Sequence, residues 1–284
     1  VDELPRSSSA RWLSSNPQKA AAERFYLFYT PVWITFMAVV MLSGIYRRWG
    51  DPGFMLFGTA VAAPMILVPM LGARKPGPDQ PAQPAQPFWR SVWLRLNLWN
   101  AIFVFIGSYF FTHYFFDVLG MRYRFPTQWN LQAALVGTGD PLDPGLLGGG
   151  REVPLFLYPL TLAYFMTYHV AMTVTLRWLR TRFELGTLGR VVALVVLAYA
   201  TAFAETFFMA IPALEDVFEY LDRGRMLAWG SVFYACFFVV SVPMFARIDE
   251  DEPWTAGRTA ISALATGMAV FIILDLWALV LGPL

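Results

Sequence analysis

Residues 191–214 read VVALVVLAYATAFAETFFMAIPAL, and this stretch decides how the chain folds. As a helix, such a run is long enough to cross a bilayer core of roughly 30 Å. It holds one ionisable side chain, the acid Glu205. A charge near hydrocarbon costs on the order of 2.5 kcal/mol or more, so such a residue faces a bundle interior, takes a partner or stays protonated. Two readings are open: a structural hydrogen bond between helices, or a proton donor or acceptor. Intramembrane acids are functional candidates by default.

The rest of the chain extends the pattern. Of 284 residues, 57% are hydrophobic and 14% charged, values outside the range of an ordinary soluble domain. Six further continuous apolar runs occupy 25–46, 53–73, 96–120, 153–176, 226–246 and 259–281. A membrane β-barrel would show alternating segments of about ten residues instead. The expected fold is therefore all-α, a polytopic membrane helical bundle of about seven transmembrane helices. Segment 1–24 is polar and has no apolar core of a cleavable signal, so insertion is expected to be directed by the first span. The N-terminal segment and the even-numbered connections carry 14 Lys and Arg residues against 7 on the other side, which predicts a cytoplasmic N-terminus. The bundle is expected over 25–284, with a proline-rich linker at 75–87 and a glycine-rich loop at 127–152. Pro31, Pro64, Pro69, Pro159 and Pro243 fall inside spans and should kink or locally open helices. There is no internal repeat, which removes support for a transporter made of inverted halves.

Several function classes lose ground on composition. A formal charge of +1 leaves no nucleic-acid footprint. The single cysteine, Cys236, excludes an internal disulfide and a CxxC site. No HxxxH or HExxH spacing exists, so no metal is expected. Only Lys19 and Lys75 among 21 basic residues are lysines, the bias of a GC-rich bacterial genome.

The ionisable groups inside spans are few. Both histidines lie there, His113 and His169, together with Asp117 and Asp275. Asp117 comes four residues after His113, which puts the two on one helical face. At about 1.5 Å per residue, His113, Glu205 and Asp275 fall at similar depths in spans rising in the same direction, whereas His169 falls nearer the cytoplasmic end. Each alone is as well explained by an interhelical hydrogen bond as by chemistry; together they favour chemistry. Aromatic residues make up 17% of the chain, with clusters at 109–116 and at Tyr164, Phe165 and Tyr168. Most are expected to pack against lipid or at interfaces, and the remainder suit a pocket that holds a cation, since ring faces attract positive charge. Thr201 and Phe208 share the helical face of Glu205. Tyr29 and Trp33, flanking Pro31, are expected to line a pocket or to pack. Glu23, Arg24 and residues 249–252 at the membrane surface are expected to be solvated or paired.

Six collinear motifs carry a resemblance: NPQKAAAERFYLFYTPVW (16–33), YFFTHYFFDVLGMRYRFP (109–126), FMTYHVAMTVTLRWLR (165–180), AFAET (202–206), FYACFFVVSVPMFARIDE (233–250) and IILDLWALVLGP (272–283). Together they resemble the cycloeucalenol cycloisomerase family, the cyclopropyl sterol isomerases, in order along almost the whole chain. The chain departs from the family at Asp117, where a basic residue is usual, which argues against Asp117 as an indispensable acid, and in a longer loop before Val153. A fainter likeness links it to the emopamil-binding sterol isomerases, which move a ring double bond through a carbocation.

The resemblance implies opening of the 9β,19-cyclopropane of a cyclosterol such as cycloeucalenol to a C8–C9 unsaturated, obtusifoliol-type sterol, with no cofactor. On that reading Glu205, with Asp275 as second choice, protonates C19. Charge develops at C9 beside Tyr109, Tyr114 or Trp277, and His113 takes the proton from C8. The alternatives are a sterol-binding or sensing membrane protein without turnover, or a double-bond-shifting isomerase of the emopamil-binding type. The implied partners are the lipid bilayer and a cyclopropyl sterol, and no oligomeric state is implied. The implied compartment is the cytoplasmic membrane of a bacterial host, or the endoplasmic reticulum for plant members.

Overall fold

The computed structural model describes residues 10–72, 88–134 and 152–282. The proline-rich linker 75–87, most of the glycine-rich loop and the start of the polar segment 1–24 lie outside the described residues. Among the described residues eight α-helices carry the architecture: α1 (Pro17–Ser43), α2 (Asp51–Gly72), α3 (Val92–Ile106), α4 (Thr112–Leu119), α5 (Leu157–Arg182), α6 (Thr187–Met209), α7 (Arg223–Ala246) and α8 (Ala256–Leu281). A π-helical turn over Gly107–Phe111 joins α3 to α4, so the third span is one continuous helical rod.

Among the described residues, six helical spans are long and apolar enough to cross a membrane, and the chain is an integral membrane protein. The remaining long helix, α5, has 26 residues and a weaker apolar character. It packs against α1, α2, α3, α6 and α7 at the centre of the bundle, where its polar side chains meet protein rather than lipid. Gly58 permits the closest of these approaches: a Cβ there would stand 2.4 Å from the Phe156 carbonyl just before α5.

Helix ends obey local chemistry. The Asn16 side chain accepts the Gln18 and Lys19 amides to start α1, with Pro17 at the first helical position, and Gly44 ends it in the left-handed conformation. Ser91, Asp222 and Thr255 cap α3, α7 and α8 in the same manner. Pro159 differs from expectation. It lies in the first turn of α5, where no amide is needed, and so does not open the helix. The apolar stretch 191–214 is also offset from its helix: α6 begins at Thr187 and ends at Met209, because Pro212 opens a separate 3₁₀ turn. Glu205 therefore sits in the last two turns of α6.

Short strands close the end of the bundle at which α6 stops. After Gly120 turns the chain with φ of 68°, β1 (Met121–Tyr123) pairs antiparallel with β4 (Phe218–Tyr220), with Met121 opposite Tyr220. Beside them β2 (Asn130–Leu131) pairs with β3 (Val153–Pro154), which ties together the two ends of the glycine-rich loop. Ion pairs between Arg124 and Glu219 and between Arg47 and Asp216 hold this cap from outside.

The opposite end is fastened by buried charge. Arg177 on α5 bridges Glu23 on α1 at 2.8 Å and Glu250 after α7 at 3.0 Å, while Lys19 meets Glu250 at 2.8 Å. Arg95 on α3 pairs with Asp249, whose carboxylate also accepts the Trp254 amide. Burial works against the charge on Glu250, and Lys19 and Arg177 outweigh it, holding that carboxyl below the usual glutamate range. These groups are paired within the fold, so removing one partner strands the other without water. Arg177→Met is predicted to lower the thermal unfolding midpoint in detergent, at a cost of about 3 kcal/mol, because Glu23 and Glu250 lose their shared partner. An unchanged midpoint would show that the cluster does not stabilise the helix ends.

Candidate active site

A cavity of about 830 Å³ lies inside the bundle, walled by α1, the third span, α5, α6 and α7 and closed at one end by the strand cap. Its size falls within the roughly 300–1,000 Å³ typical of pockets for small organic ligands. The lining is overwhelmingly apolar, and among the described residues Glu205 is the one ionisable acid or base that reaches it.

The polar groups of the cavity converge on that carboxyl. The Tyr168 hydroxyl on α5 and the Tyr234 hydroxyl on α7 face it closely enough to interact. Tyr164, Tyr123 on β1 and Tyr220 on β4 lie within electrostatic reach. Glu205 Oε2 is buried with no hydrogen-bond partner among the described residues, and so is the Tyr220 hydroxyl. Among the described residues, no basic side chain belongs to the lining. Holding a bare carboxylate in such surroundings is costly, because neutral hydroxyls offset only part of its lost hydration.

Local structure explains how these side chains meet. Tyr164 and Tyr168 are four apart on α5 and share a face. The π turn of the third span admits one extra residue, with the Thr112 amide bonded back to the Gly107 carbonyl. That extra residue rotates the α4 side chains by about 100° relative to an unbroken helix. Ser108, Thr112 and Phe115 line the cavity as a result. Tyr123 and Tyr220 arrive through strand pairing, with Tyr220 opposite Met121.

The predicted site residues divide into two groups. Glu205, Thr201, Phe208 and Trp33 line the cavity. Trp33 is fixed there by its indole N–H donating to Thr167 Oγ1 and by contact with the Tyr164 ring at 4.5 Å. The remaining candidates sit elsewhere. His113 is buried in α4, where its Nε2 accepts the Ala133 amide at 3.2 Å. Asp117 is on the same short helix and does not reach the cavity. Asp275 is exposed on the outer face of α8 and accepts the Tyr114 hydroxyl at 2.9 Å. Tyr109 stacks on Phe105, and Trp277 lies against Trp229, both outside the lining. Tyr29 donates to the Val61 carbonyl and joins α1 to α2.

His169 is fully buried within the aromatic packing of Trp99, Phe103 and Phe245. Its Nδ1 donates to the Phe165 carbonyl at 2.7 Å, and Nε2 of the neutral ring accepts the Ser241 hydroxyl at 2.8 Å. Both ring nitrogens are committed to packing α5 against α7. The shared depth of His113, Glu205 and Asp275 thus does not bring them to one site, because they point in different directions from their helices. Among the described residues no group of three His, Cys, Asp or Glu side chains could hold a metal ion.

The tyrosines gathered around Glu205 are candidate site residues that sequence reasoning passed over. The pair Tyr164 and Tyr168 stood out as an aromatic cluster, and their four-residue spacing was the available signal. Tyr234, Tyr123 and Tyr220 carried none, because their approach to Glu205 depends on helix phase and strand register.

Comparison with known proteins adds a relative. A protein of Arabidopsis thaliana named cycloeucalenol cycloisomerase is 36% identical over 287 aligned positions, covering 98% of this chain and 92% of the plant protein. No family model matches the chain, and no solved structure does. Identity at that level across nearly the whole chain, on a bundle with an acid at the wall of an apolar cavity, means that the protein belongs to the cycloeucalenol cycloisomerase family and is an isomerase.

Proposed function

We propose that the protein opens the 9β,19-cyclopropane of a cyclopropyl sterol, with Glu205 as the acid that drives the reaction. The observation that carries this reading is the placement of one carboxyl, with no cation beside it among the described residues, in an apolar cavity of about 830 Å³. A flat hydrocarbon with no charge of its own suits such a lining, and a strained ring is a weak carbon base that needs a neutral acid aimed at it in a dry site. The plant relative's name supports the substrate class.

The steps balance within the substrate and one side chain. The neutral Glu205 carboxyl gives its proton to C19 as the C9–C19 bond breaks, so the bond electrons become the new C–H bond. Positive charge appears at C9, where the ring faces of Tyr168 and Tyr234 offset it. The Glu205 carboxylate then takes the proton from C8, the C8–C9 double bond forms, and the acid is restored. The cyclopropane bridge and the C8 hydrogen lie on one sterol face, so one carboxyl can serve both steps. His113 and Asp275, expected from sequence as base and second acid, have no part in this scheme because neither reaches the cavity. Tyr168 and Tyr234 are positioning groups whose hydroxyls aim the carboxyl. The excess of basic residues on the N-terminal side supports a cytoplasmic N-terminus.

The test is turnover of a 9β,19-cyclopropyl sterol by purified variants. Glu205→Gln is expected to lose at least about 100-fold in kcat, the range for removal of a general acid, while still binding sterol. Asp275→Asn, outside the cavity, is expected to stay near the wild-type rate. Wild-type turnover by Glu205→Gln would remove the assignment, and equal losses in both variants would point to damaged folding instead of chemistry.

The two tyrosines give an independent check. Tyr168→Phe and Tyr234→Phe keep the ring and lose the hydroxyl, and each is expected to lower kcat by about tenfold, the worth of one hydrogen bond to a reacting acid. Tyr234→Leu, which also removes the ring face, should fall further. A phenylalanine variant as slow as the leucine variant would mean that the ring contributes nothing.

A further inference from the structure

The cavity is bounded by protein at the two ends of the bundle and reaches the surface at its side. At the cap end, Met121, Val153 and Phe218 of the strands, with Phe125 and Ile211, give the cavity an apolar lining. At the other end the aromatic packing around His169 and the buried ion cluster fill the bundle. The side between α1 and α6 differs. α1 packs on α5, α3 and α2, whereas α6 packs on α7 and α5, so the two helices flank α5 without a substantial packing seam of their own.

The cavity reaches the surface in that gap. Ile34 and Leu42 on α1 and Phe208 on α6 line the cavity and yet are 46%, 71% and 64% exposed. A residue can be both only where the cavity wall is also the outer face of the bundle. Ala38, Ala200 and Ala204, also cavity-lining and exposed, narrow the gap very little. Both stretches lie towards the C-terminal ends of helices that cross in the same direction, so the opening faces the leaflet distal to the N-terminus. Glu205 comes directly after Ala204 and stands at the inner edge of the opening.

From this geometry we infer that the gap between α1 and α6 is a lateral portal through which a membrane-dissolved sterol passes from the distal leaflet to Glu205. The inference rests on the proposed sterol substrate and adds the route. Solubility supports it: a sterol resides in the bilayer, and passage through the capped end would carry it through water and across the Arg124–Glu219 and Arg47–Asp216 pairs. The lateral route exchanges lipid contacts for the apolar lining of the cavity at little cost. Phe208 and Leu42 are the side chains that must swing aside.

The experiment narrows the gap from each side in the full chain, with Ala38→Phe and Ala200→Phe, and uses Leu264→Phe on the lipid face of α8 as the control. Proteins are reconstituted in phosphatidylcholine vesicles containing a fluorescent sterol, and uptake is read by energy transfer from tryptophan. Phenylalanine leaves the set of tryptophan donors unchanged. Both portal variants are expected to take up sterol about tenfold more slowly, since a narrowed path acts on association, while a single turnover of cyclopropyl sterol preloaded in detergent is slowed by less than uptake, since both positions also line the cavity. Uptake at the wild-type rate in both variants would overturn the portal while leaving the proposed function intact. So would a preloaded turnover slowed as much as uptake, which would mean that these positions act inside the cavity and not on entry. Wild-type protein that takes up and turns over no sterol would remove the proposed function, and the portal with it.

Discussion

A carboxyl in an apolar cavity with no cation beside it is the constraint on which the rest of this structure depends. Glu205 cannot be carried at the wall of such a space as a bare anion without a cost of several kcal/mol. The surrounding tyrosine hydroxyls offer the carboxyl polar company without charge, and they come from three separate places: α5, α7 and the strand cap. The bundle must therefore hold these elements in fixed relation, or the acid would find water and lose its character.

The architecture answers that need with charge at one end and paired strands at the other. The cluster of Arg177, Glu23, Glu250 and Lys19 locks α1, α5 and the end of α7 where the helices meet the membrane surface. The cap does the same at the far end, with apolar side chains inward and ion pairs outward. Between them the helices are free to leave a cavity, and α5 at the centre can carry hydroxyls because other helices screen it from lipid. Charge is thus concentrated where it stabilises helix ends and, Glu205 apart, kept out of the described cavity lining.

Much of the fold was legible because membrane spans announce themselves by length and apolarity. Even α5, less apolar than the others, was readable from its length and its aromatic run. The ends were less so: Pro212 cut α6 short, and the third span carried a π turn that no composition rule marks. Glu205 was legible as a lone acid within a span, since burial of such a group requires a reason. His113 and Asp275 were readable in depth and misplaced in direction. The extra residue of the π turn rotates α4, sending His113 to the Ala133 amide, while Asp275 meets Tyr114 on the outer face. Tyr123 and Tyr220 needed a strand register between residues almost a hundred positions apart, which local periodicity does not encode.

The mechanism turns on where the new hydrogen of the product comes from, and isotope labelling reads this directly. Wild-type protein equilibrated in deuterated water and held in molar excess is given a 9β,19-cyclopropyl sterol, so that each site turns over once, and the product is analysed by mass spectrometry and by deuterium position. An exchangeable acid at Glu205 predicts one deuterium in the C19 methyl group of a sterol unsaturated between C8 and C9. A ring-opened product without deuterium at C19, or sterol recovered bound and unchanged from well-folded protein, would contradict it.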